Sequence, residues 1–452
     1  MTTPIRRHSF DALRLTLAVL LLSYVWRFQD LMPGLEALKI PTIATGVSFI
    51  LLLVDRDAQR QLGIALRHRV GRLAPWFAIV AAISVATSIN FGWSADYYLR
   101  DLIPALSLVI VVPAGVFEPE DTSYFAALQI FGAAVYCCVV LTRFSVGADG
   151  RLGSLVFYDG NDIGMLLVCT LPLCAYFARH ARNSVFRFLS LAIALLFMYT
   201  IAKTGSRGAF LGLLAVGSYV LVSFRTIQPS IRFGVVAVCA SLLFVAASTT
   251  YWSHMETILN PTADYNWVGN DDQGRMSIWK RGLQYAEDRP LNGVGVASFN
   301  IAEGTISPLA RRQEYNKGLK WSSPHNSFVQ VLAEMGLPGI VLFIAMLVAG
   351  FRSASRLARA SIHRGAEARR YGELARAHVA AVAGYAVAGF FLSQAYAPYL
   401  YFVLGMIIAL DVTVRKAWRM DDAAANAMIE SPEPAPHAEV DAKTELGALA
   451  WS

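Results

Sequence analysis

The stretch PHNSFVQVLAEMGLPGIVLFIAMLVAG, residues 324–350, decides the fold class of this chain. After a polar start it is largely apolar, and as an α-helix it can cross a hydrocarbon core of about 30 Å. Similar apolar runs recur along most of the 452 residues, of which 56% are hydrophobic and only 16% charged. Soluble domains carry about 25% charged residues. We therefore predict an all-α, polytopic integral membrane protein with about 12 transmembrane helices.

The predicted spans divide the chain into regions of different composition. They cover 12–28, 38–54, 73–92, 102–117, 123–142, 162–179, 185–202, 208–224, 232–250, 326–350, 378–394 and 396–414. The first run is expected to stay as a span because no small-residue cleavage site follows it. The predicted regions are N-terminal transmembrane helices (1–250), one large loop (251–325), C-terminal transmembrane helices (326–415) and a disordered tail (416–452).

The distribution of arginines indicates the orientation. Alternate short loops between spans, apart from the acidic loop 118–121, are rich in arginine, which places these loops and both termini in the cytoplasm under the positive-inside rule. The net charge of +7 is therefore explained by orientation signals, and we expect membrane lipids rather than nucleic acid as partners. These arginines include Arg6, Arg7, Arg56, Arg60, Arg67, Arg69, Arg72, Arg179, Arg182, Arg187, Arg352, Arg356, Arg359, Arg364, Arg369, Arg370 and Arg376.

The loop 251–325 lies outside the cytoplasm in this topology. Its residues from Arg275 to Asp288 form an amphipathic stretch that predicts a helix, with Met276, Ile278, Trp279, Leu283 and Ala286 on the apolar face. The segment Pro290–Gly295 then ends it. Long loops in compact proteins usually have a function, so we expect this one to cap or build a site at the membrane boundary.

His325 is the candidate general base. It stands at the start of a predicted helix, beside the polar side chains of Asn326 and Ser327. A neutral imidazole at that place could remove a proton from a hydroxyl near pH 7. The alternative is a structural histidine, which is the common case.

Two arginines are candidate anion ligands. Arg207 lies at the outer junction of two spans, flanked by Gly205 and Gly208, which let backbone approach a ligand closely. Its planar guanidinium suits a phosphate oxygen, whereas the alternative is an arginine that reaches the lipid headgroups. Arg275 begins the amphipathic helix, where the helix N-terminus also favours an anion. The alternative for Arg275 is an ion pair with Asp271 or Asp272.

The remaining polar candidates are weaker. Asn161 and Asp162 could orient an acceptor or cap the helix that begins there. All five cysteines lie in apolar segments, and no His/Cys/carboxylate spacing suits a metal, so neither a metal site nor a cofactor is expected.

The motif at the base resembles the signature of the O-antigen ligase and polymerase superfamily of bacterial envelope glycosyltransferases. His325-Asn326 is followed after nine residues by Gly336-Leu-Pro-Gly339, in the register of that signature. The segments 204–210, 274–279 and 289–295 are similar to further family elements, as is, less specifically, 151–162. The resemblance covers residues of about 150–345.

The resemblance implies a fold, an activity and a set of roles. It implies a bundle of about twelve transmembrane helices in the inner membrane, with the active site facing the periplasm. Members of the family transfer glycans from undecaprenyl pyrophosphate without a metal ion. Here His325 would activate the acceptor hydroxyl, and Arg207 and Arg275 would hold the pyrophosphate, with inversion at the anomeric carbon.

The sequence leaves alternatives open both for the acceptor and for the class of function. A ligase that uses a lipid A–core sugar is favoured over a polymerase that extends another lipid-linked repeat, and a related branch of the family glycosylates protein hydroxyls. A transporter of lipid-linked glycan is the competing class. It is disfavoured by the single oversized outer loop and by the lack of a halved pseudo-symmetry.

Overall fold

The computed structural model describes residues 12–32, 34–143, 152, 158–224, 228–247, 249–260, 272, 274–310 and 321–430. Within these ranges the regular structure is helical and contains no β-strand. Arg6, Arg7, Asp271, residue 151 of the segment 151–162 and the tail from residue 431, all included in the predictions above, lie outside the described residues.

Eighteen α-helices follow one another in the described ranges. They are α1 (Ala12–Leu20), α2 (Phe28–Leu31), α3 (Ile40–Val54), α4 (Arg56–Arg67), α5 (Arg69–Ala86), α6 (Phe91–Tyr97), α7 (Ile103–Ala114), α8 (Pro119–Arg143), α9 (Gly160–His180), α10 (Ser184–Thr204), α11 (Arg207–Ser223), α12 (Pro229–Ala246), α13 (Thr249–Leu259), α14 (Arg275–Asp288), α15 (Phe299–Thr305), α16 (Ser327–Ala360), α17 (Ala366–Gly389) and α18 (Pro398–Glu430). Two π-helical turns, Leu21–Val25 and Tyr98–Leu102, extend α1 and join α6 to α7.

The chain is a polytopic membrane protein, as predicted. Among the described residues, eight helical segments are long and apolar enough to cross a membrane, and two shorter apolar helices lie at 12–25 and 207–223. Each predicted span coincides with a helix, although the span expected at 102–117 begins earlier and runs from Phe91 to Ala114. The total of about 12 spans stays a prediction.

The last helix corrects the predicted tail. α18 continues to Glu430, so residues 416–430, assigned above to the disordered tail, are helical, and that part of the prediction was wrong. Arg364 forms a two-pronged ion pair with Asp422 and lies over the ring of Trp418 at 4.7 Å. These contacts stabilise a segment whose composition alone does not support a core.

α16 is interrupted at Gly336, which has φ 68° and ψ −166°. The break leaves backbone groups without partners in their own helix, and the segment 290–295 of the large loop supplies them. The N–H groups of Val294 and Gly295 donate to the carbonyls of Ala333 (2.9 Å) and Glu334 (3.1 Å). The N–H of Leu337 donates to the carbonyl of Pro290 at 2.7 Å. The loop is thereby bonded into the interrupted span.

The side chain of Glu334 strengthens this attachment. It is 2% exposed, and its carboxylate accepts the N–H groups of Ala297 (3.0 Å) and Phe299 (3.2 Å). It also accepts the hydroxyl of Tyr396 at 2.7 Å. A buried carboxylate needs several such donors, and these come from the large loop and from the segment between α17 and α18.

Close packing of α9, α11 and α17 sets the position of the α10–α11 turn (204–207). A Cβ added at Gly164 would lie 2.6 Å from the Cβ of Ala209, and one added at Gly212 would lie 3.2 Å from the carbonyl of Gly384. Small residues let membrane helices approach this closely. The start of α11 is therefore held against both α9 and the end of α17.

We predict that Gly336→Ala destabilises the protein. An added Cβ would meet the carbonyl oxygen of Pro290 at 2.5 Å, and the left-handed φ is unfavourable for alanine. We expect a loss of about 1–3 kcal/mol, measured by thermal unfolding in detergent. Gly217→Ala is the control, because nothing lies within 4 Å of its added Cβ. Equal melting temperatures for the two variants would contradict the proposed role of the interruption.

Candidate functional site

The predicted site residues lie at one end of the helix bundle. At this end α9, α11 and α16 begin and α10 and α17 finish, next to the loop helix α14. The opposite end carries ion pairs of a different set, including His180 with Glu373 at 2.7 Å and His68 with Asp411 at 3.6 Å. The two ends therefore differ in chemistry, and the first holds the candidate site.

A connector of eight residues, 390–397, joins α17 to α18 and crosses the site. It is bonded to the start of α16, where Ser327 Oγ donates to the carbonyl of Leu392 (2.7 Å) and accepts the N–H of Gln394 (3.1 Å). The N–H of Ala395 donates to Gln330 Oε1 at 3.4 Å. This connector was not predicted from the sequence, although its polar pair Ser393-Gln394 interrupts an otherwise aromatic and aliphatic run.

His325 has a left-handed backbone, with φ 46°, and its N–H donates to Ser393 Oγ at 2.8 Å. The residue is half-buried. Asn326 is the N-cap of α16, and its Oδ1 accepts the N–H groups of Phe328 (2.9 Å) and Val329 (3.1 Å). Its Nδ2 is buried and has no hydrogen-bond partner among the described residues. The imidazole is therefore placed just before a capped helix N-terminus.

Arg207 is the first residue of α11 and is half-buried. Gly205 ends α10 in the left-handed conformation (φ 61°), which turns the chain towards α11. Gly208 lies against the connector, since an added Cβ would be 3.1 Å from the Cβ of Phe391. The guanidinium of Arg207 donates to the hydroxyl of Thr257 in α13 at 2.8 Å. Arg207 thus contacts the large loop at the same end as His325.

Arg275 is the first residue of α14, which has the same bounds as the predicted amphipathic helix. Trp279 follows one turn later on the same face. Its Nε1–H donates to the carbonyl of Pro324 at 2.8 Å, and its ring lies 5.2 Å from that of Phe390. α14 is therefore bonded to the residue immediately before His325. Asp272, one of the ion-pair partners considered above, accepts Arg281 Nη1 through its carbonyl.

Asn161 and Asp162 belong to the N-terminal cap of α9. The cap residue is Asp159, whose carboxylate accepts the N–H groups of both, while Asp162 Oδ2 accepts the N–H of Asp159 in a capping box. Capping was one of the two predicted alternatives. Asp162 has a second contact that the sequence did not indicate, because its Oδ1 accepts Gln394 Nε2 at 2.7 Å.

The large loop contains a buried polar triad that was not predicted from the sequence. Arg281 is 8% exposed and binds Glu303 in two-pronged fashion, and Tyr285 donates to Glu303 Oε1 at 2.8 Å. Burial, followed by the charge of Glu303, raises the pKa of Tyr285, so that the phenol stays a donor. Leu283, expected on the apolar face, is 46% exposed. Hydrophobicity predicted the buried positions of Ile278, Trp279 and Ala286 but not those of Arg281 and Tyr285, whose polar groups are satisfied by Glu303.

The electrostatics of this end suit an anion. The helices α11 and α14 both begin with an arginine, and helix N-termini add partial positive charge and N–H donors. In the part of the chain that the structure describes, no group of three or more His, Cys, Asp or Glu side chains could hold a metal ion. The polar groups at this end of the bundle are thus mainly cations and N–H donors.

The segment that carries most of the candidate site residues is similar to known proteins. Residues 189–344 match the family model described as O-antigen ligase. A "putative polysaccharide ligase" of Rickettsia conorii is 26% identical over 179 residues, which cover 37% of this chain and 40% of the relative. A second protein with that name, from Rickettsia felis, is 26% identical over 169 residues, or 35% of this chain and 38% of the relative.

These matches confirm the family resemblance. The chain spans about 40% of the length of the curated relatives it matches. The matched residues 189–344 include Gly205, Arg207, Gly208, Arg275, His325 and Asn326, while Asn161 and Asp162 precede them.

We predict that Trp279→Phe loosens the loop helix without unfolding the bundle. The variant keeps the ring contact with Phe390 but loses the hydrogen bond to Pro324, which contributes about 0.5–1.5 kcal/mol. Hydrogen exchange should accelerate in peptides that cover α14 and residues 321–325. Trp93→Phe is the matched control, since its Nε1–H donates to the carbonyl of Ala297 at 2.9 Å instead. Unchanged exchange in α14 of the first variant would refute the attachment.

Proposed function

We propose that this chain, a member of the O-antigen ligase family through its residues 189–344, is an inverting, metal-independent membrane glycosyltransferase. It moves a glycan from undecaprenyl pyrophosphate to an acceptor hydroxyl, for which a lipid A–core sugar is the favoured acceptor. The supporting observation is that the α10–α11 turn with Arg207, the start of α14 with Arg275, and His325 lie at one end of the bundle. The connector and Trp279 join them.

The donor's pyrophosphate is proposed to bind between the two arginines. A guanidinium can hold two phosphate oxygens at once, and two arginines match the two phosphates. The start of α14 adds backbone N–H groups directed at the same anion. Because negative charge grows on the departing pyrophosphate, these contacts strengthen in the transition state, where such stabilisation is most effective.

His325 is proposed to act on the acceptor. Its imidazole takes the proton of the acceptor hydroxyl while the oxygen attacks the anomeric carbon. The bond from that carbon to the pyrophosphate oxygen breaks, and undecaprenyl pyrophosphate leaves with the electron pair. Attack opposite the leaving group inverts the anomeric configuration. The half-buried position of His325, next to a capped helix start, is compatible with access by a hydroxyl.

The location of this chemistry is also proposed. The arginine-rich loops support a cytoplasmic location for the end of the bundle opposite the site, so the site would face the periplasm across the inner membrane. The isoprenoid chain would remain in the bilayer while the arginines hold its headgroup at the boundary. Metal independence is part of the proposal, and EDTA should leave the transfer rate unchanged.

The acceptor is tested with purified protein and undecaprenyl-pyrophosphate glycan, with and without lipid A–core. Product that forms only with lipid A–core supports the ligase. Longer lipid-linked chains without it would show a polymerase, and transfer to protein would show the third branch. Movement of the donor across a vesicle membrane without consumption would overturn the enzyme in favour of a transporter.

We predict that His325→Ala abolishes transfer, by at least about 100-fold, because no base remains for the hydroxyl proton. Donor binding should persist, since the arginines are intact. His363→Ala is the control, because His363 is exposed on the segment between α16 and α17 at the opposite end. Transfer by the His325→Ala protein at the wild-type rate would remove the base from the mechanism.

We predict that lysine replaces neither arginine fully. Arg207→Ala and Arg275→Ala should each weaken donor use, and the corresponding lysine variants should recover only part of it because the two-pronged geometry is lost. Steady-state rates against donor concentration measure this. Arg100→Ala is the control, since Arg100 is largely exposed and pairs with Asp96 at 2.8 Å. Full rates with lysine at either position would exclude a phosphate clamp there.

A further inference from the structure

The backbone of His325 is held in a conformation that a histidine rarely adopts. Its φ of 46° is left-handed, which is unfavourable for any residue with a Cβ. Such a residue persists only where its surroundings determine it. One contact that holds it here is the hydrogen bond from the His325 N–H to Ser393 Oγ at 2.8 Å. The position of the imidazole therefore depends on the connector.

Gln394, the next residue of the connector, links the connector to α9. The side-chain Nε2 of Gln394 donates to Asp162 Oδ1 at 2.7 Å. Asp162 is itself oriented, because its Oδ2 accepts the N–H of Asp159 in the capping box of α9. The polar link thus runs from His325 through Ser393 and Gln394 to the N-terminus of α9.

The start of α9 is in turn packed against the α10–α11 turn that carries Arg207. An added Cβ at Gly160 would lie 3.3 Å from the carbonyl of Thr204, and one at Gly164 would lie 2.6 Å from the Cβ of Ala209. Leu152 donates its N–H to the carbonyl of Lys203 at 3.0 Å. The distance between His325 and Arg207 therefore depends on the contact of Gln394 with Asp162, together with the direct packing of Gly208 on Phe391 of the connector.

We propose that Ser393 and Gln394 are positioning residues, which set the imidazole of His325 relative to the arginine-bearing turn. Ser393 holds the peptide of His325, and Gln394 fixes the connector to Asp162. This inference rests on the proposed function. Transfer needs the acceptor oxygen, the base and the pyrophosphate aligned together, and a misplacement of about 1 Å can cost about 100-fold in rate.

The connector does not depend on this link for its fold. Tyr385 donates to the carbonyl of Gln394 at 2.7 Å, and Tyr401 donates to that of Ala395 at 2.8 Å. Tyr396 is bonded to Glu334, and the ring of Phe390 packs on Phe328. Loss of the Gln394 side-chain contact should therefore move the connector slightly and leave the bundle folded.

The test exchanges the donor and acceptor of this contact. Gln394→Glu places two carboxylates against each other, and we expect kcat to fall at least about tenfold, with the donor KM and the melting temperature little changed. Asp162→Asn should have a smaller effect, because the amide of Gln394 can turn its oxygen towards Asn Nδ2. The double variant restores one donor and one acceptor, so most of kcat should return. Gln284→Glu, the same change at an exposed position of α14, is the control.

A second pair of variants tests Ser393. Ser393→Ala removes the acceptor of the His325 N–H and should lower kcat, whereas Ser393→Thr keeps the hydroxyl and should retain more of it. The pH dependence of the residual rate should match that of wild type, because the base is misplaced rather than replaced.

The outcomes separate the two proposals. If wild type transfers glycan but Gln394→Glu retains its kcat, or the double variant is no better than Gln394→Glu, the positioning role is wrong while the proposed function stands. If wild-type protein transfers nothing to any acceptor, the proposed function fails and this inference fails with it.

Discussion

A break in a membrane-spanning helix leaves backbone groups that lipid cannot satisfy, and this constraint organises the end of the molecule that holds the candidate site. At Gly336 the break in α16 is filled by the backbone of residues 290–295, and the carboxylate of Glu334 binds the N–H groups just beyond. A loop that might otherwise lie loosely on the surface is therefore part of the core. Its helix α14 is then close enough for Trp279 to bond the residue before His325.

The candidate site is assembled from helix ends. Arg207 and Arg275 each begin a helix, and His325 stands just before a third. Helix N-termini provide N–H donors and partial positive charge, which suits a pyrophosphate, while the helices behind them are rigid. The connector 390–397 crosses these ends and contacts α9, α11 and α16. A site of this kind combines accessible side chains with a fixed spacing, as the proposed glycan transfer requires.

Hydrophobicity predicted most elements because the bilayer imposes a length and a composition on each span. It also predicted α14 from its periodicity. It failed where polar residues are buried in pairs, as at Arg281 with Glu303, and so it assigned Leu283 to the wrong face. It failed again at the end of α18, where Asp422 and Trp418 are held by Arg364, a residue distant in the chain. Both failures come from contacts that no local pattern contains.

The sequence by itself determined the class of fold, the helix in which each predicted span lies, and the residue types that can carry the chemistry. The periodicity of apolar residues and the motif from His325 to Gly339 are local patterns, so they can be recognised from the sequence alone. Only the tertiary structure decided how those residues meet. The left-handed peptide of His325, its bond to Ser393 and the contact of Gln394 with Asp162 join residues far apart in sequence. Such spacing depends on packing between helices, and packing is a property of the whole bundle.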